Sequence, residues 1–256
     1  MTESATDRRS TTRRSVGWPA LLGLLVSFAL LPAFFGVIVL HRSGGSVEFP
    51  DQESVSTLAG EKVFELGLVV LAITWLRWWP VVLHERHRVR RWVWLVPGTF
   101  LLASIAMVDY SRLREAGILL AATLVLSILL IAVSEELMFR GLVLTFLRDR
   151  APEWVAAVGS SVLFGLFHVP AGPINVVSSM VFGYLLYYTR RVSGGLLVPI
   201  VIHAAWDVAV FSGLTTATPA TDSATGFTLV LVMVALLIVM VAGRRAAEPA
   251  PAEPAA

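Results

Sequence analysis

Long apolar runs, separated by short polar stretches rich in arginine, dominate the chain. They fall at 18–40, 63–79, 92–108, 116–147, 155–168, 174–188, 196–211 and 227–242. A bilayer core of about 30 Å takes roughly 20 helical residues. The pattern therefore predicts an all-α polytopic membrane protein of about eight transmembrane helices. A transmembrane barrel would instead show short segments of strict alternation. The fifth to seventh runs are short and bounded by Gly and Pro, which suits helices packed around a polar interior. The fourth is long and carries charges in its second half. The first exceeds the 7–15 apolar residues of a cleaved signal peptide and contains Pro19 and Pro32, so it is expected to be an anchor. The predicted organisation is a disordered N-terminus (1–15), three accessory helices (16–115), a catalytic core of four helices (116–211), a last transmembrane helix (212–245) and a disordered Ala-, Pro- and Glu-rich tail (246–256).

Composition narrows the class further. Hydrophobic residues make up 56% and charged residues 15% of the 256, and the mean hydropathy is +0.76. Roughly 25% charged is usual for a soluble domain, so a soluble globular, disordered or fibrous chain is excluded. The net charge of +2 forms no single basic patch, and no nucleic-acid partner is expected. There is no cysteine, which excludes disulfides, thiolate metal sites and a cysteine nucleophile.

The basic residues also orient the chain. With eight spans, one side holds both termini and the loops after the second, fourth and sixth. Arg8, Arg9, Arg13, Arg14, Arg86, Arg88, Arg90, Arg91, Arg148, Arg150, Arg190, Arg191, Arg244 and Arg245 lie there. The other side holds Arg42, Lys62, Arg112 and Arg114. Both termini are therefore expected in the cytoplasm. Trp75, Trp78, Trp79, Trp92 and Trp94 flank the second cytoplasmic loop as an aromatic belt would. The Arg bias, with abundant Ala and Val, fits a bacterial inner membrane. Glu65, early in the second run, is expected at the interface.

Ionisable side chains at membrane depth are costly and mark function. Three groups stand out in the apolar runs. In Ser134-Glu135-Glu136-Leu137-Met138-Phe139-Arg140, Glu136 and Arg140 are four apart and share a helix face, so they can pair. Glu135 is rotated by about 100° and stays available for proton transfer. Phe164-Gly165-Leu166-Phe167-His168 closes the fifth run with a histidine, and His203-Ala204-Ala205-Trp206-Asp207 puts two polar groups on one face of the seventh. Each group alone also fits a bland role, as an interfacial charge cluster, a packed histidine or a neutral buried pair. Their convergence from three helices is harder to attribute to accident.

Taken in order, Glu-Glu-x-x-x-Arg, Phe-x-x-x-His and His-x-x-x-Asp resemble the CPBP family of intramembrane proteases, which includes type II CAAX prenyl endopeptidases and bacteriocin-processing or immunity relatives. The resemblance covers about residues 116–211. It implies peptide-bond hydrolysis inside the membrane, with a membrane-associated peptide or protein as substrate and lipid as surroundings. Glu135 and His168 would activate water, His203 with Asp207 would assist the oxyanion, and Arg140 would hold Glu136. A metal-dependent account would make Glu135, His168, His203 and Asp207 ligands of zinc, which lowers the pKa of bound water to about 7. Family members often carry Asn at the last position. An ionised Asp207 cannot donate to an oxyanion, which points to a metal ligand or an orienter of His203. A non-catalytic scaffold or immunity-type protein on the same fold is the alternative, and a proton relay or transporter a more distant one.

Overall fold

The computed structural model describes residues 13–42, 52–85 and 91–213. The expected last helix at 227–242, residues 1–12 and the tail lie outside the described residues. Among those described, every regular element is helical. They are α1 (Trp18–Arg42), α2 (Gln52–Leu76), α3 (Trp79–Leu83), a 3-10 turn (Arg91–Trp94), α4 (Leu95–Met107), α5 (Tyr110–Glu115), α6 (Ile118–Glu135), a π-helical stretch (Glu136–Val143), α7 (Leu144–Arg148), α8 (Glu153–Leu166), a 3-10 turn (Val169–Ala171), α9 (Pro173–Ser193) and α10 (Leu197–Gly213).

Two helical stretches are long and apolar enough to cross a membrane, Trp18–Phe35 with hydropathy 2.0 and Ile118–Arg148 with hydropathy 2.5. The second runs through α6, the π stretch and α7 as one rod of 31 residues, about 46 Å at 1.5 Å per residue. Large apolar side chains face outward on several helices, among them Leu22, Leu30, Leu71, Leu102, Ile118 and Leu197. Soluble monomers rarely expose contiguous apolar surface beyond a few hundred Å², so this outer surface suits lipid.

The second apolar run needs correction. Its helix begins at Gln52, eleven residues earlier than the hydropathy pattern indicates. The charges that break the pattern lie inside the bundle. Glu65 is fully buried, not interfacial, and Lys62 belongs to no loop. Lys62 Nζ lies 2.9 Å from Glu65 Oε2 and 3.0 Å from Glu61 Oε1. Three charges within one turn of each other keep a helix together where lone charges would not, because each buried ion has a partner. α2 lies along α6, with Gln52 Nε2 donating to Thr123 Oγ1 (3.2 Å) and Ser127 Oγ to the Val55 carbonyl (3.3 Å).

α2 ends in a reversed turn. The amide of Trp78 bonds the Ile73 carbonyl and that of Arg77 the Thr74 carbonyl, both at 3.1 Å. This is the pairing of a Schellman cap, and it puts Arg77 at φ 58°, a conformation glycine normally supplies. Trp78 is thereby folded into the core, 2% exposed, rather than standing in an interfacial belt.

At the same end, the Glu85 carboxylate lies among three arginines. Arg148 donates to both of its oxygens (3.0 Å each), Arg190 to Oε2 (3.1 Å) and Arg191 to Oε1 (2.9 Å). Burial opposes ionisation of Glu85, but the arginines outweigh it and hold its pKa at about 2. The turn from α9 to α10 makes room for this strand of chain. Gly194 has φ 73°, and a Cβ there would lie 2.8 Å from the Glu85 carbonyl oxygen. Several basic residues expected to act as loop signals are therefore tertiary contacts. Arg190 is 1% exposed.

Candidate functional site

The π stretch begins where the apolar face of α6 ends. The amide of Glu136 is shared between the Ala132 and Val133 carbonyls, and all eight residues from Glu136 to Val143 are buried. Such wide turns are rare and concentrate at functional sites. Here the turn carries Glu136 and Arg140 into the interior, with Glu135 immediately before it at the end of α6.

Arg140 forms the ion pair that the spacing predicts, Nη1 to Glu136 Oε1 at 2.7 Å. Its Nη2 donates to the Gly183 carbonyl on α9 at 3.1 Å, and its guanidinium lies 4.2 Å from the centre of the Phe164 ring on α8. Arg140 thus ties three helices together. Gly183 is needed for this approach, because a Cβ there would lie 3.2 Å from Phe164 Cδ1 and 3.3 Å from Arg140 Nη2.

His203 on α10 completes the centre. Its Nδ1 lies 3.0 Å from Glu136 Oε1, the oxygen already engaged by Arg140. A carboxylate only accepts, so Nδ1 carries the proton. Nε2 then faces Asp207 Oδ2 at 3.5 Å and Glu135 Oε2 at 3.8 Å. The geometry redistributes the expected roles. The short contact to the imidazole comes from Glu136, backed by Arg140, and Asp207 stands at the opposite nitrogen. Phe164 and Phe182 meet the imidazole edge-on, with centroids at 5.8 and 5.3 Å.

His168 is placed differently. Its Nδ1 lies 3.0 Å from the Phe164 carbonyl oxygen, and its ring is 5.0 Å from the Phe164 ring. Among the described residues it makes no hydrogen bond to Glu135. Phe164, the fixed aromatic of the second motif, is the common neighbour of His168, His203 and Arg140. Glu135, Glu136, Arg140, His203 and Asp207 therefore form one cluster, with His168 beside it across a single ring.

Glu135 Oε2 and Glu136 Oε2 are buried and have no hydrogen-bond partner among the described residues. Buried polar atoms are nearly always satisfied, so these two oxygens are exceptional in keeping lone pairs free to accept. The donors do not converge as a metal cage. Among the described residues no group of three or more His, Asp or Glu is arranged to hold a metal ion. The expected zinc set of Glu135, His168, His203 and Asp207 is therefore not assembled as one group among the described residues.

Sequence inspection missed the neighbours of this cluster. Lys62 is close enough to Glu135 and Asp207 to interact electrostatically with both, so α2 adds its Glu61–Lys62–Glu65 group to the same interior. The available signal was three charges within five residues of an otherwise apolar helix. Gly183 and Phe182 left no signal beyond ordinary packing residues.

This constellation spans the segment that a known family describes. Residues 117–209 match the family model of the Type II CAAX prenyl endopeptidase Rce1-like proteins. The match covers a little over a third of the chain, from the start of α6 into α10, and includes all six motif residues. The Rce1-like family is a membrane-embedded protease family, which supports a peptidase in an integral membrane protein. Comparison with curated proteins and with solved structures gave no match.

Proposed function

We propose that the protein is an intramembrane endopeptidase that hydrolyses a peptide bond in a membrane-associated protein or peptide. The observation that carries this reading is the pair of unpartnered carboxylate oxygens beside a histidine whose other nitrogen is fixed. Glu135 is the base. It takes a proton from water as the oxygen attacks the scissile carbonyl carbon, and returns it to the leaving amine. His168 assists, since donation from Nδ1 to the Phe164 carbonyl leaves Nε2 as an acceptor for the same water. His203 is the electrophilic partner. Glu136 and Arg140 set its ring through Nδ1–H, and in the imidazolium form a second proton, on Nε2, stabilises the oxyanion as it forms. In the resting site Nε2 faces the Asp207 carboxylate at 3.5 Å, and the substrate carbonyl oxygen takes that place. No step passes through a metal.

The arginine distribution supports a cytoplasmic location for both termini and for the end carrying Glu85, and composition supports a bacterial inner membrane. The full pattern of apolar runs supports eight spans with a core of α6 to α10. The test compares membrane peptides from cells carrying the wild type or Glu135→Gln. Peptides ending at a common type of cleavage site appear with the wild type and disappear with the variant. Full complementation of a null phenotype by Glu135→Gln would instead favour a scaffold or immunity-type role.

A further inference from the structure

Beyond the proteolytic cluster, α1, the end of α2 and α7 enclose an apolar cleft of about 170 Å³ at the arginine-rich end. Leu21, Leu24, Ala72, Leu76, Leu142 and Phe146 line it, with Trp75 and Trp78 beside them. Trp78 forms its floor at 2% exposure, and Trp75 stands at its lip at 61%.

Three arginines stand on the aromatic walls. Arg13 lies 5.0 Å above the Trp78 ring, Arg14 5.0 Å above Trp75 and Arg150 3.7 Å above Phe146. All three are exposed. Among the described residues one carboxylate, Asp149, pairs with them, at 3.0 Å from Arg13. Arg150 uses two of its five N–H donors on the neutral carbonyls of Phe146 and Val16, which leaves its charge uncompensated. The arrangement is fixed rather than adventitious, because the Trp78 indole N–H donates to the Arg14 carbonyl (3.0 Å) and the Arg14 amide to the Leu76 carbonyl (3.1 Å). An apolar slot therefore opens directly beneath an excess of positive charge at a membrane end.

We propose that this cleft binds one anionic phospholipid of the cytoplasmic leaflet, its phosphate on Arg14 and Arg150 and part of an acyl chain between α1 and α2. Charge complementarity selects this occupant. A neutral lipid leaves the guanidiniums uncompensated, and a free anion leaves the slot unfilled. Guanidiniums stacked on aromatic rings keep their outer N–H groups directed at phosphate oxygens. The inference rests on the membrane location but not on proteolysis.

The experiment uses the full chain purified in a neutral detergent. Phosphatidylglycerol and phosphatidylcholine of identical acyl chains, and separately glycerol phosphate, are titrated in. Retained lipid is counted by native mass spectrometry and the thermal midpoint is followed. Phosphatidylglycerol is expected to be retained at one molecule per chain and to raise the midpoint by a few degrees, while the other two do neither. Arg14→Gln and Arg150→Gln each weaken retention about fivefold, from roughly 1 kcal/mol per arginine near an anionic lipid. Ala20 also lines the cleft, and Ala20→Trp fills the slot and removes retention with the arginines intact. If Arg150→Gln misfolds, Arg14→Gln and Ala20→Trp still decide. Equal retention of both lipids, equal stabilisation by glycerol phosphate, or unchanged retention by Arg14→Gln and Ala20→Trp overturns the proposal. Loss of cleavage activity has no bearing on any of these readouts.

Discussion

Two ionic clusters occupy this bundle, and they differ in how completely their carboxylates are satisfied. At the arginine-rich end, each oxygen of Glu85 accepts from two guanidiniums. In the interior, Glu136 Oε1 is shared by Arg140 and His203, whereas Glu135 Oε2 and Glu136 Oε2 accept no hydrogen bond among the described residues. Both clusters join helices distant in sequence. A saturated carboxylate can only hold structure together. One left with free lone pairs next to a fixed imidazole can also move a proton. The contrast separates a fastening from a reactive centre without appeal to motif.

Breaking the reactive side gives the largest effect. Glu135→Gln or His203→Ala should lower cleavage by about 10²–10⁴-fold, the usual contribution of a positioned acid or base. With Glu135→Gln the thermal midpoint in detergent should stay within a few degrees of the wild type. Arg140→Met tests the supporting part of the same cluster. It leaves Glu136 buried without its cation, a change that costs about 3–5 kcal/mol, and the yield of folded protein should fall accordingly.

The fastening responds to acid. Glu85 titrates near 2 in the folded protein, below the ordinary carboxylate range near 4.3. Its contribution is present above the unfolded value and is lost as pH falls from about 5 towards 2. At 1.36 kcal/mol per pKa unit this amounts to roughly 3 kcal/mol. Glu85→Gln should lower the midpoint at pH 7 and flatten its fall between pH 6 and pH 3, with cleavage per folded molecule unchanged. The smallest effect belongs to Arg77, whose positive φ costs about 1 kcal/mol relative to glycine. Arg77→Gly should raise the midpoint by a few degrees and leave cleavage alone.

Much of the helical layout was legible because apolar runs over ten residues long leave little alternative. The run at 174–188 became α9, Pro173–Ser193, and that at 196–211 became α10. The start of α2 was not legible from hydropathy. Glu61, Lys62 and Glu65 look like the edge of a span until their mutual pairing is seen. The π turn at Glu136–Val143 was hidden as well, since the same residues suit an α-helix and the i, i+4 pairing of Glu136 with Arg140 survives in either. The motif residues themselves were visible as polar groups in apolar surroundings. What could not be read was which nitrogen of His203 meets which carboxylate. That depends on how α10 crosses the π stretch, and it moved the orienting role from Asp207 to Glu136.

The central claim is that proton transfer belongs to the interior cluster and not to the saturated one. It is tested most directly by quantifying membrane-peptide products per folded molecule for Glu135→Gln and Glu85→Gln side by side. The account predicts loss of products with Glu135→Gln at normal stability, and full product yield per folded molecule with Glu85→Gln at reduced stability. Unchanged products with Glu135→Gln would contradict it.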